Sequence, residues 1–205
     1  MFTNLIQDIF GPSPTPLGAA DRWAIALSSM YSRINRGSDD RLAPFGFLRR
    51  QSSWNMLRAN WGVDGVTRKR KHEQSRQMLD WLGQVGHRSE LADPGDSEAE
   101  QDLLAWDTAR LVHVARHAFH AGFIDQAEAW SYIRPMAGAA QSRYPSWAEY
   151  ARRFGRGRLR WLTERDPTID QAIADLLRDP ASPWRTLDWR TPLNWDAEPA
   201  RDARR

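Results

Sequence analysis

The chain has no cysteine. That single absence removes disulfide bridges, thiolate metal centres and a cysteine nucleophile, and it leaves the redox compartment unindicated. Long uninterrupted apolar runs are also missing. The start, MFTNLIQDIF, lacks a basic lead and is interrupted by Gln7 and Asp8, so it fits neither a secretory signal nor a membrane span, and the expected location is the cytoplasm. No segment alternates apolar and polar residues in the manner of a strand, which points to an all-α fold. A glycine-rich strand-to-helix turn, a G-x-S-x-G elbow and a Walker lysine are absent as well, so phosphate-loop and serine-elbow chemistries have no sequence basis. Charge of one sign is not in great excess. The net charge is +3, and the basic clusters RKRK at 68–71 and RRFGRGRLR at 152–160 are read as solvated helix faces before they are read as phosphate contacts.

What the chain has in plenty is tryptophan, 11 of them. Tryptophan buries a large area yet must place its N–H, so most of these rings should line a core and reach a polar partner at its edge. Around them the helical period is clear. Trp23, Leu27, Met30, Tyr31 and Ile34 form the stripe of a first helix between Gly18 and Gly37. Leu48, Trp54 and Leu57 mark a second, from about Phe47 to Asn60. A third is expected from Asp64, as an N-terminal cap, to Gly86. The fourth, roughly Ser97 to Ala121, is apolar around much of its circumference and should be the central, buried helix. Asp125 with Glu128 and Ser146 with Glu149 have the spacing of capping boxes and open two more. A last helix runs from about Thr168 to Arg178.

Proline at positions 12, 14 and 16 makes 1–17 an N-terminal segment with an extended linker. After Pro180 the sequence ASPWRTLDWRTPLNW mixes proline, which blocks helix, with tryptophan, which seeks burial. The expectation is a single helical domain over 18–196, of six or seven helices, with an irregular Trp/Pro-rich tail packed on it. A charged end would follow at 197–205.

The chemistry-bearing residues gather on the fourth helix. Within LVHVARHAFHAGF, residues 111–123, His113, His117 and His120 fall within an arc of about 60°, and Trp106 and Arg110 share that stripe. One ion could take a neighbouring pair of these histidines but hardly all three, because His113 and His120 are separated by about 10 Å of helical rise. Position 114 is valine where a zinc protease needs glutamate, and Arg110 and Arg116 would repel a cation, so no metal and no cofactor is expected. Asp107 and Arg110, three apart, can form an ion pair that pins the helix, with His87 and Arg88 as further partners; the same groups could instead hold an anion or a carboxylate.

The landmarks W-G-V at 61–63, W-L-x-x-x-G-H-R at 81–88, A-W-D-x-x-R at 105–110, A-G-F-I-x-x-x-E-A-W at 121–130, S-W-x-x-Y at 146–150, G-R at 157–158 and D-P-x-S-P-W at 179–184 run in order over about 20–190. In these the chain resembles the bacterial YbeU-like domain of unknown function. The resemblance implies one bacterial domain and supplies no reaction. It places His87, Asp107, Arg110, Glu128 and Trp147 among the family's polar and aromatic hallmarks and leaves His113, His117 and His120 outside them.

No complete catalytic set stands in the sequence. The expected function is therefore a non-catalytic protein-binding module, an accessory or immunity-type partner in a bacterial conflict or secretion system. The expected partner is another protein, in preference to nucleic acid and with no membrane involved. The alternative is a hydrolase-like enzyme or toxin with a pocket around His87, Asp107, Arg110 and the histidine stripe.

Overall fold

The longest helix of the chain is the axis of the fold. A computed structural model describes residues 17–90, 98–162 and 164–195, with 85–90 as backbone alone. Among them lie eight α-helices of seven residues or more and one further α-helical turn, besides a short 3-10 turn: α1 (Ala19–Ala26), α2 (Ser29–Asn35), α3 (Arg50–Trp61), α4 (Arg68–Glu90), α5 (Glu98–Ala121), α6 (Gln126–Arg143), α7 (Trp147–Leu162), α8 (Pro167–Arg178) and the turn α9 (Pro183–Thr186). No strand occurs among the described residues. α5 packs against α3, α4, α6 and α7, and its residues from Leu104 to Ala118 are buried without a break. A helix surrounded on all sides has no polar face to show, which is why its sequence lacks one.

The expected helices are all present, and the count exceeds the expectation because the first is broken. Two carbonyls at the joint are taken from outside: Trp184 Nε1 donates to the Ala26 oxygen at 2.9 Å and the Tyr150 hydroxyl to the Leu27 oxygen at 2.8 Å. Side-chain donors thus occupy acceptors that a continuous helix would use. Two boundaries also move. α4 opens at Arg68, where Thr67 Oγ1 accepts the Arg70 N–H, rather than at Asp64, and it runs through Gly86 to Glu90. Leu48, counted in the second stripe, sits in a short 3-10 turn (Phe47–Arg49) and is almost fully exposed. The capping boxes form as read, with the Glu128 N–H on Asp125 Oδ1 at 2.8 Å and the Glu149 N–H on Ser146 Oγ at 3.2 Å.

The tail folds back onto the helices. Trp184 and Trp189 enter an aromatic cluster with Trp23, Trp147 and Tyr150, Trp147 and Trp184 being stacked at 5.7 Å. Gln141 Nε2 donates to the carbonyls of Trp189 and Thr191, both at 2.8 Å. The indole N–H groups divide: those of Trp147 and Trp184 donate to carbonyls, whereas those of Trp23 and Trp189 are buried without a partner among the described residues. The N-terminal segment and linker over 1–16 and the charged end over 197–205 lie outside the described residues.

α5 and α7 meet at unusually short range. A Cβ at Gly157 would lie 2.0 Å from the Asp102 carbonyl oxygen, so only glycine permits the approach. Beside this contact the fully buried Asp102 carboxylate accepts Arg153 at 3.1 Å, Arg156 at 3.1 Å and Arg160 at 2.9 Å. Arg152 pairs with Glu149 and Arg158 with Asp166. The cluster at 152–160 therefore faces carboxylates of its own chain, and the reading of it as a plain solvated face is corrected accordingly.

Candidate functional site

The sequence candidates fall into two groups that share α5 but face different neighbours. Asp107 and Arg110 stand one turn apart, as helical spacing requires. An Arg110 Nη donates to Asp107 Oδ1, and the two side chains are 10% and 3% exposed. Burial raises the Asp107 carboxyl above its usual range, against the pull of Arg110. The guanidinium lies 3.7 Å over the ring of Trp106 and 5.7 Å from the centroids of Trp61, Trp81 and Trp161. These rings come from α5, α3, α4 and α7, so four helices deliver one aromatic group each around a single cation. Trp161 stands 5.8 Å from Trp106 and 6.5 Å from Trp81.

Two of the rings face outward: Trp81 is 43% exposed and Trp161 56%. Beside Trp81 a shallow cavity of about 550 Å³ is lined by Asn60, Trp61, Gln77, Met78, Trp81 and Arg110. Arg110 Nε is buried there with no hydrogen-bond partner among the described residues. The result is a wall of indole rings with one cation behind it, able to take an apolar group against the rings.

His117 and His120 turn elsewhere, toward α3 and the loop before it, while His113 lies against Tyr31 of α2. Ser53, fully buried, stands 2.9 Å from His117 Nδ1 and 2.7 Å from His120 Nδ1, and His120 Nε2 is 3.2 Å from the Gly46 carbonyl. The tautomers follow from the partners. The Gly46 oxygen only accepts, so His120 carries its proton on Nε2; its Nδ1 then accepts the Ser53 hydroxyl, and Ser53 Oγ accepts Nδ1–H of His117. Both rings pack edge-on against Phe45, and His113 lies 4.6 Å from Tyr31. Burial lowers all three imidazoles, His113 to about 3 and His117 further, with neighbouring positive charge adding to the effect. They are neutral at physiological pH and committed to packing. A serine hydroxyl with no exposure cannot meet a substrate, so this chain of hydrogen bonds is structural.

Arg116, read in the sequence only as a flanking cation, proves to be a buried keystone. Its guanidinium donates to Ser28 and Ser32 hydroxyls and to the carbonyls of Leu42, Ser38 and Arg41, tying α5 to α2 and the loop that follows it. His87 and Arg88 fall within the last turns of α4 rather than after it, and their side chains lie outside the described residues. Among the described residues no group of three or more His, Asp or Glu stands together in a way that could hold a metal ion. No helix among them is long and apolar enough to cross a membrane. Trp61, Trp81 and Trp161 were missed as site residues; the first two stood in the sequence only as landmarks of the resemblance, and nothing in the sequence singled out Trp161.

A family model described as a protein of unknown function (DUF1266) matches residues 97–189. The matched stretch runs from the start of α5 to Trp189, so it includes Trp106, Asp107, Arg110 and Trp161, while Trp61, Trp81 and Ser53 precede it. No curated protein and no solved structure matches the chain.

Proposed function

We propose that the chain is a bacterial, YbeU-like recognition module that binds another protein and performs no reaction of its own. The observation that carries this reading is the outward pair Trp81 and Trp161 beside the buried Arg110. Tryptophan and arginine dominate the energetics of protein interfaces, and exposed aromatic area next to a polar rim is the usual mark of a docking surface. The Asp107–Arg110 pair serves as the support that keeps the rings in place. A hydrolase-like pocket would need the histidines to open toward Asp107 and Arg110; they face Ser53, Phe45 and Tyr31 instead.

The test uses the full chain as bait in a bacterial lysate, beside a Trp81→Ala/Trp161→Ala variant. These two positions are chosen because removing Arg110 would leave Asp107 buried without its counter-ion and confuse folding with binding. The expected outcome is a specific captured protein that the variant loses, with the melting temperature of the variant within a few degrees of the parent. Capture of the same protein by the variant, or no capture by the parent, contradicts the reading.

A further inference from the structure

A second, larger cleft lies where α1, α2 and the loop after them meet the C-terminal tail. It encloses about 670 Å³, within the range of small-molecule sites. Three arginines, Arg22, Arg33 and Arg36, and three aspartates, Asp39, Asp40 and Asp179, line it. The charges do not cancel in place. Arg33 is paired with Asp179 at 3.1 Å. Asp40 holds the Ser38 hydroxyl and is 3.6 Å from Arg41. Asp39 accepts the Ser29 hydroxyl at 2.9 Å and answers the buried guanidinium of Arg116 beneath it. Arg22 and Arg36 are left, and neither makes an ion pair among the described residues.

Arg36 is also the one described non-glycine residue with positive φ, at φ 53 and ψ 44. That left-handed conformation disfavours any residue with a β-carbon and is the ordinary place for glycine after a helix. Glycine is present one position too late, at Gly37, whose N–H closes on the Ser32 carbonyl at 2.7 Å. The chain thus keeps an arginine where glycine would be less strained, and the side chain makes no bond among the described residues that would explain it. Strained residues of this kind gather at ligand sites. The tail contributes the apolar Ala181, Pro183 and Leu187 to the lining, with Thr186.

We propose that this cleft binds a small organic phosphate, with the phosphoryl group between Arg22 and Arg36 and the body of the molecule against Pro183 and Leu187. Two unpaired guanidinium groups match the near-dianion of a phosphate monoester and its several acceptor oxygens, whereas a carboxylate brings one charge.

The test compares phenyl phosphate with benzoate, which share a ring and differ in the anion, by calorimetric titration and thermal shift of the full chain at matched ionic strength. Phenyl phosphate should bind and raise the melting temperature, and benzoate should bind at least tenfold more weakly. Arg22→Gln and Arg36→Gly should each weaken phenyl phosphate by at least tenfold. Arg36→Gly should in addition raise the melting temperature of the ligand-free protein, which separates loss of the ligand from loss of the fold. A phosphoserine peptide that binds tightly while phenyl phosphate does not would assign the cleft to a modified protein and overturn the small-molecule reading. Equal binding of phenyl phosphate and benzoate, or full affinity in either variant, overturns the proposal outright.

Discussion

Buried imidazoles leave a trace in the pH dependence of stability. His113 is lowered by burial from 6.5 to about 3, and His117 and His120 are lowered as well. In each case the folded state holds fewer protons than the unfolded state once the pH drops below about 6.5, so stability is full above that pH and is lost as the pH falls. Each such group contributes about 1.4 kcal/mol per pH unit inside its window. Glu149, held down to about 2 chiefly by Arg152, and Glu98, held low by Arg156, begin to matter only below pH 4.5. Asp39 and Asp107, raised by burial, have the opposite sign and offset a part. Between pH 7 and 4.5 the unfolding free energy from urea titrations should therefore fall by several kcal/mol, and His117→Gln should flatten the slope. An unfolding midpoint that does not move over this range contradicts the buried, neutral assignment. The stripe itself was legible, since three histidines on one face follow from spacing alone. Their partner was not: Ser53 lies more than sixty residues away, and no local pattern links a serine on α3 to a histidine on α5.

Between elements, the contact of α5 with α7 rests on one glycine. Replacing Gly157 with alanine drives a β-carbon into the Asp102 carbonyl, which is backbone and cannot step aside, so the helices must separate and the Asp102 arginine cluster with them. A loss of about 3 kcal/mol in chemical denaturation is expected. Gly155, two residues earlier on the same helix, has nothing within 4 Å of its would-be β-carbon, and there alanine should stabilise by about 0.5–1 kcal/mol. Equal effects at the two sites would show that helix propensity, not the close approach, decides. Helix starts were legible wherever a capping side chain precedes an acidic residue by three, as at Asp125 and Ser146. The break between α1 and α2 was not legible, because the donors that cause it, Tyr150 and Trp184, arrive from the far end of the chain. For the same reason the arginines at 152–160 read as a solvated face; their buried acceptor Asp102 belongs to another helix.

Across the whole molecule, the division between what holds and what is offered becomes visible. The central helix, the all-α architecture and the packed tail follow from period and composition, since a helix apolar on every side must be enclosed and tryptophans among prolines must find a surface. Trp106, Asp107 and Arg110 were legible together because one helix carries them. Trp61, Trp81 and Trp161 joined them only through the packing of α3, α4 and α7 on α5, so the aromatic wall that makes the candidate site was invisible in one dimension. The most direct test of the proposed function is oxidative footprinting of the indole rings by mass spectrometry, with the chain free and with its captured protein bound. Oxidation of Trp81 and Trp161 should fall several-fold on binding while the buried Trp23 and Trp184 stay slow in both states. Unchanged oxidation of Trp81 and Trp161 with the partner in place would contradict the account.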